Sequence, residues 1–257
     1  MSDPRDPMRS AQANMRPSPA RRFYESVEVR EADGLHALFL DGRGALTPGK
    51  TKLASPNRAL MERVAEEWAR AGETLDPADM PMTRLVNSAL DGVASRMDAT
   101  RAEIVRYAGS DLLCYRAEGP ETLAKRQREA FDPVLDWAAE LLGARFVLAA
   151  GVRHAAQPAE AIEAFRAAVE AFDDPAALAA LNVVTTLTGS AVLALAVARG
   201  RLAADEAWRL AHLDEDFQIE RWGEDEEAAA RRAARWREMA AAAAALGATR
   251  PGRPRNC

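Results

Sequence analysis

Histidine, cysteine and aromatic residues are scarce in this chain of 257 residues, and each scarcity narrows what it can do. The three histidines, His36, His154 and His212, lie far apart and lack the spacing of a metal-binding pair such as HExxH. Of the two cysteines, Cys114 sits in an apolar run and Cys257 is the last residue. Two such thiols make neither a disulfide framework nor a metal cluster, and they fit a reducing compartment. No apolar run approaches the ~18 residues of a membrane span; the longest, at 191–198, reads as a buried helix. Cationic excess is also absent. A net charge of −5 argues against nucleic acid as a partner, because phosphate binding needs a basic face. Catalytic patterns are missing as well. There is no G-x-S-x-G elbow, and Cys114 has no neighbouring base. The chain therefore reads as a binding protein without cofactor or metal, and not as an enzyme.

One nucleotide pattern is present. GALTPGKT, at 44–51, matches G-x-x-x-x-G-K-[ST], with Lys50 and Thr51 in the phosphate-binding positions. A P-loop runs straight into a helix whose N-terminus holds the phosphates. Here Lys-Leu-Ala-Ser-Pro follows Thr51, and a helix signal comes only at Ser55. The rest of the chain is too helical to supply a parallel βαβ sheet. An NTPase using this loop is the alternative function.

The pattern predicts an α+β fold with two parts. Residues 1–20, rich in proline and arginine, form a disordered arm, and residues 21–79 a small antiparallel unit. Strands are expected at 23–30 and 35–40, joined by the turn pair Asp33-Gly34, with short strands around Pro48-Gly49. A helix follows, capped by Ser55 with Pro56 at its first position, carrying Leu60, Val64 and Trp68, and ending at Gly72. Residues 80–247 read as a larger all-α unit of about seven helices. Expected among them are a helix at 83–97, one at 120–131, a separate one opened by Asp132-Pro133, an apolar segment at 175–199 broken at Thr188-Gly189-Ser190, and single helices at 203–222 and 224–246. Ser190 reads as a small residue at a helix crossing. Residues 248–257 form a basic tail beyond Gly247.

The stretch from 205 to 232 is dense in carboxylates and holds two of the five tryptophans. At 3.6 residues per turn, Trp208, Ala211, Glu215, Gln218 and Trp222 share one face of the 203–222 helix. A carboxylate between two indoles does not suit a face that packs on a core, because burying an unpaired charge is costly. Either Glu215 finds a partner inside the fold, or this face stays open.

Several runs carry a family resemblance: Arg22-Phe23-Tyr24, Leu40-Asp41-Gly42-Arg43 with Thr47-Pro48 and Lys50, Glu67-Trp68, Met80-Pro81-x-Thr83, DLLCYRA at 111–117, Asp132-Pro133 with Trp137, Gly189-Ser190, and EDFQIERWGE at 215–224. In order and spacing the chain resembles the F1-ATPase assembly chaperones that attend the α subunit, over residues 21 to 235. It departs from them at Ala71, at Phe131 and at Gly44-Ala45. The resemblance implies a non-enzymatic chaperone, bacterial and cytoplasmic here and mitochondrial in eukaryotes. It implies a monomer that binds the unassembled F1 α subunit and masks its β-contacting surface. Its partner-binding residues would be Asp214, Glu215, Gln218, Trp222 and Glu224, with Trp68 a further candidate or a core residue.

Overall fold

The computed structural model describes residues 20–151 and 155–249. The expected N-terminal arm, apart from Ala20, lies outside them, as do most of the basic tail and His154. A small antiparallel sheet comes first and a predominantly helical region follows.

Strands β2 (Val27–Ala32) and β3 (Leu35–Leu40) form the hairpin that Asp33-Gly34 turns, with Val27 opposite Leu40 and Ala32 opposite Leu35. Short β4 (Arg43–Gly44) and β5 (Ala54–Ser55) pair with the other edge of β3. The first strand is shorter than the alternation predicts because residues 25–26 serve another bond. Asp41 accepts from the Glu25 and Ser26 amides at 3.0 and 2.7 Å, closing the start of the sheet. A separate pair joins β1 (Ala20–Arg21) to β6 (Thr74–Leu75).

Helix α1 (Arg58–Arg70) buries Leu60, Met61 and Val64 against the sheet. Its cap is Asn57, whose Oδ1 accepts from the Leu60 amide at 3.1 Å. Ser55, the expected cap, is spent one step earlier, accepting from the Asn57 amide at 3.0 Å. The helix stops at Ala71, where the Arg22 guanidinium takes the carbonyl at 2.8 Å.

Helix α2 (Pro81–Ser88) runs into a single π-type turn, Ala89–Val93, before α3 (Met97–Ala108). The expected single helix at 83–97 is interrupted there because Asp91 is drawn to the hairpin tip: Thr47 donates to it at 2.6 Å and the Gly49 amide at 2.8 Å. Helix α4 (Glu121–Leu142) replaces the two helices expected on either side of Pro133. Its buried stripe, Ala124, Gln127, Phe131, Val134 and Ala138, continues at spacings of three and four straight through the proline. The core contact outweighs the one hydrogen bond that Pro133 cannot donate.

Helix α5 (Ala159–Glu170) leads to α6 (Pro175–Thr188) and α7 (Ala191–Ala198), broken at Gly189 as the sequence predicts. All eight residues of α7 are buried, so α7 is the axis of the helical part. Ser190 is more than a small residue at a crossing: its hydroxyl accepts from the Leu193 amide at 3.0 Å and caps α7. Then follow α8 (Ala204–Ala211), α9 (Leu213–Trp222) and α10 (Glu226–Thr249). The last helix continues past Gly247, and Asn57 Nδ2 donates to the Ala248 carbonyl. Among the described residues no helix is long and apolar enough to cross a membrane.

Candidate partner-binding site

The helix expected at 203–222 is two helices, hinged at His212 (φ −111°, ψ 17°). The imidazole competes for the helix's own acceptor: Nδ1 lies 2.8 Å from the Trp208 carbonyl, which also receives the His212 amide. Asp214, Glu215 and Asp216 then occupy the first turn of α9, where negative charge is favoured. That run of acids is a helix start signal inside the 203–222 segment, and a second helix begins on it.

The hinge separates the two tryptophans. Trp208 turns inward, 8% exposed, with its ring 3.9 Å from His212 and 5.6 Å from Trp236. Trp222 turns outward and is 86% exposed. Within α9 alone, Glu215, Gln218 and Trp222 keep their spacings of three and four, and all three are exposed. The opposite side of α9 is held by Phe217, its one buried residue, whose ring lies under two guanidinium groups, Arg221 at 4.1 Å and Arg126 at 5.2 Å. Of the two alternatives for Glu215, the carboxylate is on the open side.

The other candidates fall in different places. Asp214 faces α4, where it accepts from Gln127 Nε2 at 2.7 Å; the same amide's Oε1 accepts from the Ala117 N–H at 2.7 Å. Asp214 therefore ties α9 to the end of the DLLCYRA run. Glu224 follows Gly223, whose φ of 87° ends α9, and it is exposed. Glu215 and Glu224 both act on Arg232 of α10, which is held above the usual guanidinium range chiefly by its hydrogen bond to Asp216. Trp68 lies elsewhere. Half-buried, it donates from Nε1 to Thr83 at 3.2 Å, and its carbonyl accepts from the Tyr24 hydroxyl at 2.7 Å. Its role in the structure is to join elements.

The other signature runs are joints as well. Glu67 accepts from the Met82 and Thr83 amides, each at 2.7 Å, and so caps α2 from α1; burial pushes its carboxyl above the ordinary value despite those bonds. Asp111 is fully buried and accepts from the Leu113 and Val192 amides at 3.0 Å, capping α7 from across the fold. Burial pushes its pKa up to about 6. Cys114 beside it is buried and pushed up to about 12, again by burial, so its thiol is inert at neutral pH. Phe131 is buried, with the Arg116 guanidinium 5.0 Å from its ring centre.

The GALTPGKT stretch is a hairpin tip, with Leu46 bridged to Lys52 and the Lys50 amide bonded to the Thr47 carbonyl. Its Gly49 amide, the kind of donor a phosphate would use, already holds Asp91. A Cβ on Gly49 would stand 2.6 Å from that carboxylate, so glycine is needed for the contact. No helix follows until Arg58. Nothing in this geometry supports nucleotide binding. Among the described residues no three acidic, histidine or cysteine side chains are grouped as metal ligands.

The sequence profile of the family described as ATP12 chaperone protein matches residues 21–139. The chain is 44% identical to the crystallised Atp12 of Paracoccus denitrificans, with a TM-score of 0.84 over 90% of this chain and 99% of that one. The chain belongs to the ATP12 chaperone family. A crystal structure of a candidate chaperone from Agrobacterium tumefaciens is similar at 50% identity, with a TM-score of 0.88 over 96% of this chain and 92% of that one. The mitochondrial protein atp12 of Schizosaccharomyces pombe is 26% identical over 228 residues, 82% of this chain and 77% of its own length. The profile match ends inside α4, whereas the open face of α9 lies in the part that only the whole-chain comparisons cover.

Proposed function

We propose that this protein is a non-catalytic, monomeric chaperone of the bacterial cytoplasm. In this reading it binds the unassembled α subunit of F1-ATPase, covers the surface that will meet β, and so promotes assembly of the F1 sector. Membership of a chaperone family supports a protein client. The α subunit as that client rests on the resemblance of the signature runs.

One observation carries the binding site: Trp222 is 86% exposed on a short helix, with Glu215 and Gln218 on the same face and Glu224 just beyond its end. An indole left in water costs a free protein little, and it contributes strongly when a partner desolvates it. The carboxylates beside it give orientation and attraction to basic groups. Asp214 contributes indirectly by fixing α9 on α4, and Trp68 by joining α1 to α2.

The test is a pull-down against separately expressed F1 α and β subunits, with α aggregation followed by light scattering. Selective capture of α with reduced scattering and no nucleotide supports the proposal. Capture of neither subunit, or of both equally, overturns it.

A further inference from the structure

His212 and Glu215 present two hydrogen-bond acceptors to each other at the edge of the α9 face. The Trp208 carbonyl can only accept, so the contact at 2.8 Å places the proton on Nδ1. In the neutral ring Nε2 is then a bare lone pair. It lies 4.0 Å from Glu215 Oε2. That gap is too long for a hydrogen bond, and neither atom brings a proton to it. The imidazole is fixed in place: its side chain is only 7% exposed and its ring packs, tilted by 41°, against Trp208 at 3.9 Å. The side chain of Glu215 is 43% exposed.

The two arginines that act on this pair, Arg232 and Arg235, make their direct bonds elsewhere. Arg232 is bonded to Asp216, and Arg235 donates to the Leu187 carbonyl at 2.8 Å while lying over Trp208. Among the described residues His212 is the one basic side chain within 4.0 Å of Glu215. A ring nitrogen without a hydrogen-bond donor, facing a half-exposed carboxylate that Arg232 attracts without a direct bond, is a socket for a group that donates in two directions and carries positive charge. A guanidinium does both.

We infer that the His212–Glu215 pair receives an arginine side chain of the client, its guanidinium donating to His212 Nε2 and Glu215 Oε2 together. Trp222 lies two turns along the same face as Glu215 and supplies the apolar contact beside it. The inference rests on the reading of this face as the client site, and it adds the chemistry of the residue captured.

A pH dependence of definite sign follows. The charged groups facing the imidazole are Glu215 from α9 and Arg232 and Arg235 from α10; burial first, then the two arginines, hold its pKa below the ordinary value of 6.5. Protonated His212 places its own donor and charge against Glu215 and displaces the guanidinium. Client binding therefore weakens as pH falls through the His212 pKa.

The experiment has two arms. Affinity for isolated F1 α is measured between pH 5 and 8 for the native chain, His212→Gln and Glu215→Gln, each first checked for an unchanged circular dichroism spectrum. The native chain is expected to lose roughly tenfold in affinity toward low pH, the worth of one charge-assisted hydrogen bond. Both variants are expected to bind more weakly at pH 8 and with a flatter profile. Equal pH slopes in all three proteins overturn the inference. The second arm uses N-acetyl-argininamide as the probe and 15N spectra of His212 at pH 8. A titrating shift of Nε2, absent in Glu215→Gln, supports the socket, and no shift at millimolar probe overturns it. Because this arm needs no client, failure of α binding alone counts against the functional reading, while failure of the probe counts against the socket.

Discussion

Thr83 and Glu67 are bonded twice: the Thr83 amide and hydroxyl both donate to Glu67 Oε2, at 2.7 and 2.8 Å. The other oxygen takes the Met82 amide. One carboxylate on α1 thereby satisfies two of the free amides at the start of α2, where the sheet region meets the helices. Glu67→Ala leaves those amides without acceptors in a half-buried joint. We expect a loss of about 2–4 kcal/mol in urea unfolding, with Glu67→Gln intermediate because its amide keeps one acceptor oxygen.

Asp111 gives a pH prediction. Its folded pKa, about 6, lies above the ordinary 3.8. The stability it contributes is therefore fully present below pH 3.8 and lost as pH rises through 6. Asp111→Asn removes that dependence and leaves an amide N–H facing a backbone donor, at a cost of about 1–3 kcal/mol. The stability gap between native and variant chains is expected to narrow, by up to about 3 kcal/mol, as unfolding is followed from pH 4 to 7. A constant gap would contradict the buried, strained charge.

Trp222→Ala separates binding from folding. The side chain is 86% exposed, so unfolding free energy should stay within about 0.5 kcal/mol of native. Suppression of α aggregation, read by light scattering, should fall sharply. Glu215→Lys should weaken protection likewise, with the melting temperature held to within about a degree or two. Unfolding of either variant would place these residues in the core and remove the proposed site.

Lys50 tests the nucleotide pattern. It is held at φ 66°, a left-handed conformation that costs a non-glycine residue about 1 kcal/mol. Lys50→Gly should therefore raise stability slightly in thermal unfolding, and millimolar ATP should not shift the melting temperature of either protein. In a true P-loop the same substitution would abolish a nucleotide-dependent shift.

Much of this architecture was legible in the sequence. The alternation at 35–40, the turn pair Asp33-Gly34, the stripe Leu60–Val64 and the break at Gly189 each rest on local rules that the fold obeys. What local rules missed were bonds between distant segments. Ser55 looked like a cap but is used by Asn57, and Pro133 looked like a boundary but lies on an uninterrupted core stripe. Asp91 breaks its helix for a hairpin more than forty residues earlier. At the candidate site, the spacing of Glu215, Gln218 and Trp222 was readable, whereas the inward turn of Trp208 needed the hinge at His212. Two of the signature runs, Glu67-Trp68 and DLLCYRA, hold capping carboxylates, Glu67 and Asp111, and that role was hidden because a carboxylate that holds another element's amides cannot be recognised from its neighbours in sequence.

Helix α9 is held by one buried ring, Phe217, and by side-chain bonds such as Gln127–Asp214 and Arg126–Glu220, and this has a consequence for motion. All eight residues of α7 are buried, so its amides can exchange with solvent only when the whole domain opens. Helix α9 can lift by losing one ring contact and a few bonds at its flanks. Amide exchange should therefore be graded across the molecule, slow along the axis and fast at the rim. A chaperone graded in this way can adjust its grip to a misshapen client, or let go of it, while its own fold stays closed.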